Sequence, residues 1–219
     1  MIVAIDGPAG VGKSTVAKLL ASRLKYLYLD TGALYRAVAW AVLQEGRDPG
    51  DADAVGELLV RLSIKMEFWK DGAVVSVNGK DVSGELRTPT VSAAASVVSA
   101  IPAVRAWLLP LQRQIGERGS VVAEGRDIGT KVFPNAHVKF FLDADAKVRA
   151  ERRHRELVAA GHAGGLEQTS AELAGRDDRD RSRAAAPLIP AADATHIDTS
   201  NLSAADVVEQ MMAVVAAKL

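Results

Sequence analysis

One segment near the start of the chain restricts the possible folds more than any other. It reads Gly7-Pro8-Ala9-Gly10-Val11-Gly12-Lys13-Ser14 and matches the pattern G-x-x-x-x-G-K-[ST]. An apolar run of strand length, residues 1–6, precedes it, and an amphipathic stretch of helix length, residues 13–24, follows it. Glycines in such a turn let backbone N–H groups converge on an anion at the N-terminus of a helix. The sequence therefore predicts a strand, a phosphate-binding loop and a helix in succession.

The polar residues at the end of this loop indicate which phosphate compound it binds. Lys13 can bring a positive charge to the β and γ phosphates, and Ser14 can offer a hydroxyl group to a magnesium ion. We therefore expect ATP with Mg²⁺ as the ligand. A chance match in a glycine-containing turn is the alternative, and the flanking strand and helix weigh against it. The residues expected to bind ATP are Gly7, Pro8, Ala9, Gly10, Val11, Gly12, Lys13, Ser14 and Thr15.

Apolar runs alternate with amphipathic stretches along most of the chain, which is typical of a parallel sheet covered by helices on both faces. We therefore predict a three-layer α/β P-loop fold with a central parallel sheet of five strands. The length of 219 residues suits one such core with a small appended subdomain. Strands are expected at residues 1–6, 26–30, 120–124, 138–143 and 195–198. Helices are expected at residues 13–24, 33–45, 91–100, 102–117, 146–159, 170–183 and 203–219.

One region breaks this alternation. Residues 64–69 and 73–77 are short alternating runs joined by Lys70-Asp71-Gly72, a hairpin signal, and Asn78-Gly79 marks a second turn. The pattern predicts a small antiparallel insert. Composition alone does not decide between a structural excursion and a lid over a ligand.

The composition excludes several classes of protein. With 27 basic and 27 acidic residues the formal net charge is zero, so no global field favours nucleic acid or an anionic membrane. The absence of cysteine excludes disulfides, thiolate metal ligands and a thiol nucleophile. No apolar run approaches the length of a membrane span, and no basic leader precedes the first strand. We expect a cytoplasmic monomer that binds neither nucleic acid nor membranes.

Arginine residues are concentrated in two of the expected helices. For a single arginine, a solvated helix face with ion pairs three or four residues apart is the alternative. As a set they fit phosphoryl transfer between two anionic phosphates, because arginine neutralises phosphate bidentately and keeps its proton. Residues 159–165, with three glycines, would then connect the two helices of a lid that excludes water. The arginines are Arg149, Arg152, Arg153, Arg155, Arg176, Arg179, Arg181 and Arg183.

Other classes of P-loop protein fit less well. A regulatory GTPase would need an Asn-Lys-x-Asp element, which is absent, and an Asp-x-x-Gly switch after a buried strand, which residues 53–56 and 81–84 do not provide. Motor and transport ATPases place an acid at the end of a long apolar strand. Glu124 ends a shortened strand of that kind. The sequence leaves open whether Glu124 positions the magnesium shell or is a solvated carboxylate.

Four further segments stand out. They are Asp30-Thr31-Gly32-Ala33-Leu34-Tyr35-Arg36, Asp81-Val82-Ser83-Gly84-Glu85-Leu86-Arg87, Glu124-Gly125-Arg126-Asp127-Ile128-Gly129-Thr130, and Arg176-Asp177-Asp178-Arg179-Asp180-Arg181-Ser182-Arg183 with Ala186-Pro187-Leu188. Together with the phosphate loop they resemble the bacterial-type cytidylate kinases of the nucleoside monophosphate kinase group. The loop alone is generic, whereas the other four together are specific to that family. The resemblance runs nearly end to end, and the antiparallel insert resembles the family's monophosphate-binding subdomain.

The resemblance implies a role for each matching residue. Asp127 would accept a hydrogen bond from the exocyclic amine of cytosine, whereas uracil presents a carbonyl there and would leave the acid unpaired. Thr31 stands where many members have Ser, and it keeps the hydroxyl group. The residues implied to act on the reacting phosphates are Lys13, Arg36, Arg126, Arg152, Arg153 and Arg176, with Arg152 and Arg153 facing ATP from the lid. The residues implied to surround the acceptor nucleoside are Thr31, Arg105, Asp127 and Arg183 at the cytosine and Asp180 at the ribose.

Three of these assignments have a structural alternative. Arg105 could be a surface residue on the helix that carries Trp107, and Asp127 could cap the turn through Gly129. Arg36 and Tyr35 could pack at the edge of the core on their helix.

The resemblance implies an ATP-dependent kinase that converts CMP and dCMP to their diphosphates. A P-loop kinase for another small acceptor is one alternative, and a regulatory protein that binds ATP and hydrolyses it slowly or not at all is another. We expect a single kinase domain in three parts. These are a core at residues 1–30, 88–148 and 184–219, a monophosphate-binding subdomain at residues 31–87, and an arginine-rich lid at residues 149–183.

Overall fold

The computed structural model describes residues 1–69, 72–117 and 119–218. Internal contacts divide the chain into unit 1, Met1–Leu29 with Arg118–Leu219, and unit 2, Asp30–Glu117. A π-helical turn at Ile128–Val132 lies between the sixth and seventh strands. The other elements in chain order are β1 (Ile2–Asp6), α1 (Lys13–Leu24), β2 (Leu27–Asp30), α2 (Thr31–Gln44), α3 (Ala52–Leu59), β3 (Ile64–Trp69), β4 (Gly72–Val77), β5 (Lys80–Asp81), α4 (Pro89–Val98), α5 (Pro102–Gly116), β6 (Val121–Gly125), β7 (Val138–Asp143), α6 (Ala146–Ala159), α7 (Leu166–Ser182), β8 (Thr195–Asp198) and α8 (Ala204–Ala216).

Unit 1 is built on a parallel sheet of five strands in the order β2-β6-β1-β7-β8. β1 lies in the middle and pairs in parallel with β6 on one side and β7 on the other. A central strand is buried on both faces, which explains why β1 is apolar up to its last residue, Asp6. The predicted α/β fold with a central parallel sheet of five strands is confirmed.

Helices cover this sheet by burying apolar side chains against it. Leu20 of α1 and Met211 of α8 share one core with Phe140 and Leu142 of β7. Full burial of a side chain of this size contributes about 1.5–3 kcal/mol. This core fixes the strand ends from which the loops of unit 1 emerge.

Local capping explains where several helices begin. α2 begins at Thr31, two residues before the predicted start, because the Asp30 side chain caps it. α4 begins at Pro89 rather than at residue 91, because Thr88 caps it and proline suits the first helical position. α7 begins at Leu166, four residues earlier than predicted, and no proline or glycine interrupts those extra residues.

Unit 2 contains the predicted antiparallel insert. β3 pairs with β4 in antiparallel register, and β4 pairs with the short β5. Asn78 and Gly79 form the predicted second turn between β4 and β5, with φ angles of 49° and 85°. Lys70 and Asp71 of the predicted first turn lie outside the described residues. In the same unit, α2 packs against α4 and α5.

The sequence pattern does not predict α3, β5 or the π-helical turn. α8 ends at Ala216, short of the predicted end at residue 219, and Leu219 lies outside the described residues.

Among the residues that are described, no single helix has the length and hydropathy of a membrane span, and α4 with α5 reaches them only as a pair bent by 102°. The expected division into core, monophosphate-binding subdomain and lid stays a prediction.

Candidate active site

The predicted phosphate loop connects β1 to α1. Gly12 immediately precedes the helix with a φ of 91°, a conformation that glycine adopts without strain. A Cβ atom at Gly7 would lie 2.1 Å from the carbonyl oxygen of Leu142, so the loop passes too close to β7 for any larger residue. The fold therefore places successive backbone N–H groups at the N-terminus of α1, as anion binding requires.

Lys13 is the buried cation of this loop. Its side chain is 6% exposed, and Nζ donates a hydrogen bond of 2.6 Å to the carbonyl oxygen of Pro8. Burial and the neighbouring Arg126 guanidinium hold the pKa of Lys13 well below its usual value, while the carboxylate of Glu124 opposes that shift. An ammonium group in such surroundings is stabilised by any anion that approaches it.

Glu124 lies near the end of β6 and is only 4% exposed, so the alternative of a solvated carboxylate is wrong. Tyr28 of β2 donates a hydrogen bond of 2.5 Å from its hydroxyl group to Glu124 Oε1. This contact orients the carboxylate within the group of charges around Lys13. Sequence reasoning did not identify Tyr28.

Arg126 follows β6 and reaches α7. Its Nε donates to Asp180 Oδ2 at 2.8 Å, and Arg183 Nη1 donates to Asp180 Oδ1 at 3.3 Å. Burial raises the pKa of Asp180, but Arg126, Arg176 and Arg183 outweigh it, so the net pKa is lowered. Four of the residues predicted to bind the acceptor or its phosphate are thus brought together in unit 1.

Asp127 is buried at the start of the π-helical turn. Its carboxylate makes no capping hydrogen bond to that turn, so the alternative of a purely capping aspartate is wrong. Arg183 Nη2 lies 3.8 Å from Asp127 Oδ1 and forms an ion pair with it. Two residues predicted at the cytosine are therefore in contact.

Asp6 performs the capping instead. Its Oδ1 accepts a hydrogen bond from Ile128 N and its Oδ2 accepts one from Gly129 N, both at 2.7 Å. Burial raises the pKa of Asp6 to about 6, although these two hydrogen bonds oppose the shift. Sequence reasoning missed Asp6, and the available signal was an acid at the end of an otherwise apolar strand.

Arg149 is not part of a solvated face. It is buried, and Nη1 donates to the carbonyl oxygen of Ala9 at 3.2 Å and to Asp177 Oδ2 at 2.6 Å. Nε donates to the carbonyl oxygen of Ala144 at 3.1 Å. One guanidinium group thus ties the phosphate loop to the start of α6 and to α7.

The two arginines predicted to face ATP have different surroundings. Arg152 Nη2 donates to the carbonyl oxygen of Thr199 at 2.6 Å, and the Thr199 hydroxyl donates to the carbonyl oxygen of Val11 at 3.0 Å. Arg152 is therefore linked to the phosphate loop through the loop that follows β8. Arg153 pairs with Glu156 on the exposed side of α6 at 3.1 Å. Their predicted roles stay predictions.

In unit 2, Asp30 organises the start of α2. Its Oδ1 accepts a hydrogen bond from Ala33 N at 3.2 Å, and its Oδ2 accepts hydrogen bonds from Arg36 at 2.7 Å and Arg87 at 3.0 Å. Burial raises the pKa of Asp30, but the two guanidinium groups outweigh it and the net pKa is lowered. Arg36 is thus held by an ion pair with Asp30.

The other predicted acceptor residues of unit 2 are buried. Thr31 is the first residue of α2. Arg105 of α5 donates to the carbonyl oxygen of Ser99 at 3.2 Å, and its guanidinium carbon lies 5.2 Å from the centre of the Tyr35 ring. The alternative of Arg105 as a surface residue is therefore wrong.

The described residues contain no group of three or more His, Cys, Asp or Glu placed to hold a metal ion. Ser14 lies in the first turn of α1, directly after the buried Lys13. This arrangement fits an ion that takes one protein hydroxyl group and obtains its other ligands from phosphate oxygens and water.

Comparison with known proteins identifies the family to which the sequence is similar. The sequence profile of the cytidylate kinase family matches residues 3–217. The chain is 50% identical over 213 residues to the cytidylate kinase of Mycobacterium leprae (strain Br4923), covering 97% of this chain and 94% of that protein. It is 50% identical over 216 residues to the bifunctional pantoate ligase/cytidylate kinase of Synechococcus elongatus, covering 96% of this chain. The chain spans 41–43% of the length of four such bifunctional relatives.

Among solved structures, a gluconokinase from Sinorhizobium meliloti 1021 superposes with a TM-score of 0.51 at 17% identity, covering 98% of this chain and 90% of the other. At that level of identity the likeness concerns the fold.

Proposed function

The chain belongs to the cytidylate kinase family, and we propose that it transfers the γ-phosphate of ATP to CMP or dCMP, giving ADP with CDP or dCDP. The observation that carries the proposal is the group of buried charges around Lys13 in unit 1. Burial lowers the pKa of Lys13 most, Arg126 and Arg176 lower it further, and Glu124 and Asp180 oppose the shift. A buried ammonium group whose protonation is disfavoured by its surroundings favours the arrival of an anion, and both proposed substrates are phosphates.

ATP would be held by residues 7–15 at the N-terminus of α1. Backbone N–H groups of the loop donate to phosphate oxygens, and Lys13 neutralises the β and γ phosphates. Mg²⁺, when bound, reduces the repulsion between phosphate oxygens, and Ser14 would contribute its hydroxyl group to it. Arg152 would act on ATP through the loop that contains Thr199. Arg153 is proposed to face ATP as well, and this role follows from the resemblance alone.

The transfer itself requires little covalent chemistry from the protein. An oxygen of the acceptor phosphate attacks the γ-phosphorus of ATP, the bond from that phosphorus to the β,γ-bridging oxygen breaks, and ADP leaves. The attacking oxygen is already ionised, so no general base is needed. Arg126 and Arg176 would neutralise the charge that accumulates between the two phosphates, and Arg36 of unit 2 is proposed to hold the acceptor phosphate.

Selection of the base would depend on Asp127 and Arg183. The carboxylate accepts from the exocyclic amine of cytosine, and it forms an ion pair with Arg183. Asp180 is proposed to bind the ribose. Thr31 and Arg105 of unit 2 are proposed to contact the cytosine, and these assignments follow from the resemblance.

The remaining proposals follow the family resemblance. Residues 149–183 would form the lid, and residues 31–87 the monophosphate-binding subdomain. The protein would act as a monomer in the cytoplasm on small nucleotides, without nucleic acid or membrane partners.

The proposed reaction is tested by ADP production from Mg-ATP with CMP, dCMP, UMP, AMP, GMP, dTMP or no acceptor in one coupled assay. We expect strong turnover with CMP and dCMP. Turnover confined to another nucleotide would keep the mechanism and reject the base assignment. ADP formation without dependence on any acceptor would favour a regulatory ATP-binding protein instead.

The base assignment has its own test. Asp127→Ala should lower the ratio of kcat/KM for CMP to that for UMP by at least tenfold, because only cytosine offers an amine to the carboxylate. The KM for ATP should change less than that ratio. An unchanged ratio in the folded variant would remove Asp127 from the base site. Asp145→Ala, at an exposed position before α6, serves as the control.

A further inference from the structure

Asp6 joins two segments that lie far apart in the sequence. It ends β1 immediately before Gly7, and both of its carboxylate oxygens accept backbone hydrogen bonds from residues 122 and 123 positions away. Asp6 is 3% exposed. A buried carboxylate with two neutral donors and no ion pair of its own among the described residues requires a structural reason.

The reason lies in the start of the π-helical turn. The first N–H groups of any helical segment lack partners within it and need an acceptor from elsewhere. An aspartate directly before such a segment normally supplies that acceptor from its own side chain. Asp127 occupies that position, yet its side chain makes no capping hydrogen bond. Asp6 supplies both acceptors, for Ile128 and for Gly129.

We propose that Asp6 is a positioning residue for base selection: it caps the π-helical turn in place of Asp127 and thereby keeps the Asp127 carboxylate paired with Arg183. The inference rests on the proposed function for its connection to cytosine. The capping itself does not depend on that function. When Asp6 cannot accept both hydrogen bonds, the adjacent Asp127 becomes the nearest carboxylate able to cap the turn, and it turns away from Arg183.

The surroundings of Asp6 support this role. The titratable groups that act on it are Asp127, from the turn, and Lys13, from α1. The stem of Lys139 in β7 also packs by the turn at Gly129, but its Nζ donates to the carbonyl oxygen of Pro134 and to Asp193. In the described contacts, Asp6 therefore accepts its hydrogen bonds from backbone N–H groups.

The first experiment compares Asp6→Asn with the wild-type protein. Asparagine has the same shape but only one acceptor oxygen, and its NH₂ group would face an N–H donor. We expect the ratio of kcat/KM for CMP to that for UMP to fall at least fivefold, with the KM for ATP within threefold of wild type. Asp143→Asn, at the exposed end of β7 with a single hydrogen bond from Ala144 N, is the matched control and should keep the ratio. An unchanged ratio in folded Asp6→Asn would overturn the proposal.

The second experiment needs no variant. Protonation of Asp6 removes one acceptor, so the CMP to UMP ratio of the wild-type protein should fall as the pH is lowered from 8 to 5.5. Both nucleotides carry the same phosphate, so the titration of that phosphate cancels in the ratio. A ratio that is constant across this range would contradict the proposal.

The third readout is independent of activity. Amide hydrogen exchange at Ile128 should be faster in Asp6→Ala than in wild type, because Asp127, directly before the turn, can accept from Gly129 N but not from Ile128 N. Exchange in α8 should be unchanged. Faster exchange without any selective turnover of CMP by the wild type would reject the proposed function and leave the capping role intact. Selective turnover of CMP with unchanged exchange in the variant would reject the capping role alone.

Discussion

Asp6 and Asp30 each end a strand of the same parallel sheet, and both are largely buried, with 3% of Asp6 and 13% of the Asp30 side chain exposed. Their partners differ. Asp6 accepts hydrogen bonds from two neutral backbone N–H groups, whereas Asp30 also accepts them from two guanidinium groups. The pKa of Asp6 is raised to about 6, and the pKa of Asp30 is lowered.

The comparison shows that the type of donor, more than burial, decides how each carboxylate behaves. Neutral donors satisfy the oxygens of Asp6 but bring no positive charge to them, so desolvation dominates. Guanidinium groups satisfy the oxygens of Asp30 and compensate its charge as well. The Asp6 region can therefore lose or gain a proton near neutral pH, whereas the Asp30 region stays ionised until the solution is strongly acidic.

The largest expected effect concerns two cations of unit 1, Lys13 and Arg126. Lys13→Ala and Arg126→Ala should each lower turnover by roughly 10³ to 10⁵, because these groups are proposed to neutralise the transferring phosphate. Coupled assays on purified variants with unchanged circular dichroism measure this loss. The control is Arg23→Ala, which removes an exposed arginine paired with Glu209 and should leave turnover unchanged. Near wild-type turnover in either site variant would refute its assigned role.

Asp30→Asn separates the ionic part of the Asp30 contacts from the capping part. Asparagine caps a helix about as well as aspartate, so the loss should come from the bonds to Arg36 and Arg87. We expect the free energy of unfolding to fall by about 1.5–3 kcal/mol, the range for hydrogen bonds to charged groups. Asp51 caps α3 without an arginine among its described contacts. The control Asp51→Asn should therefore change the free energy of unfolding by less than about 0.5 kcal/mol, as is usual at exposed sites. Equal losses in the two variants would show that the contacts of Asp30 with Arg36 and Arg87 add no stability beyond helix capping.

The pH dependence of stability should differ in sign between the two aspartates. Because the folded-state pKa of Asp6, about 6, lies above its unfolded-state value of 3.8, lowering the pH from 7 to 5 stabilises the folded state by about 1 kcal/mol. The lowered pKa of Asp30 gives stability that is present above about pH 4 and is lost only below it.

Urea unfolding at pH 7 and pH 5 measures this effect. From pH 7 to pH 5, the free energy of unfolding of the wild type should rise by about 1 kcal/mol relative to that of Asp6→Asn, because the variant cannot bind that proton. An identical pH dependence in both proteins would show that Asp6 does not titrate in this range.

The smallest expected effect is that of Arg87→Ala. The Arg87 side chain is 62% exposed, so its ion pair with Asp30 is screened by water and should contribute only about 0.2–1 kcal/mol. Asp30 keeps Arg36 as a partner in this variant. A loss larger than that of Asp30→Asn would mean that Arg87 stabilises the unit through contacts other than Asp30.

How far the sequence predicts this molecule depends on how local each feature is. The phosphate loop is predicted because all of its determinants lie within residues 7–15, and β7, β8, α1 and α6 have the predicted ends because short-range patterns define them. Capping by Asp30 and Thr88 moves two helix starts, and a closer reading of N-cap residues would have found both. Both shifts in helix start are due to residues adjacent to the helix in the sequence.

Contacts between distant segments explain what the sequence does not predict. Arg149 reaches Ala9 across 140 positions and Asp6 reaches Ile128 across 122. Helical patterning assigns Arg149 to an exposed face, because nothing nearby in the sequence reveals its buried partners. The π-helical turn likewise depends on acceptors from β1. The sequence could suggest that these residues matter, but not which atoms they contact.

The contacts of Arg149 have a practical consequence for engineering. The guanidinium group and Asp177 join α6 to α7 without the connection that links the two helices along the chain. That connection, residues 160–165, is exposed except at His162. A cleavage site or a small reporter inserted there would leave the ion pair between the helices in place. The connection is therefore a position where this chain can be opened while α6 and α7 stay joined through their side chains.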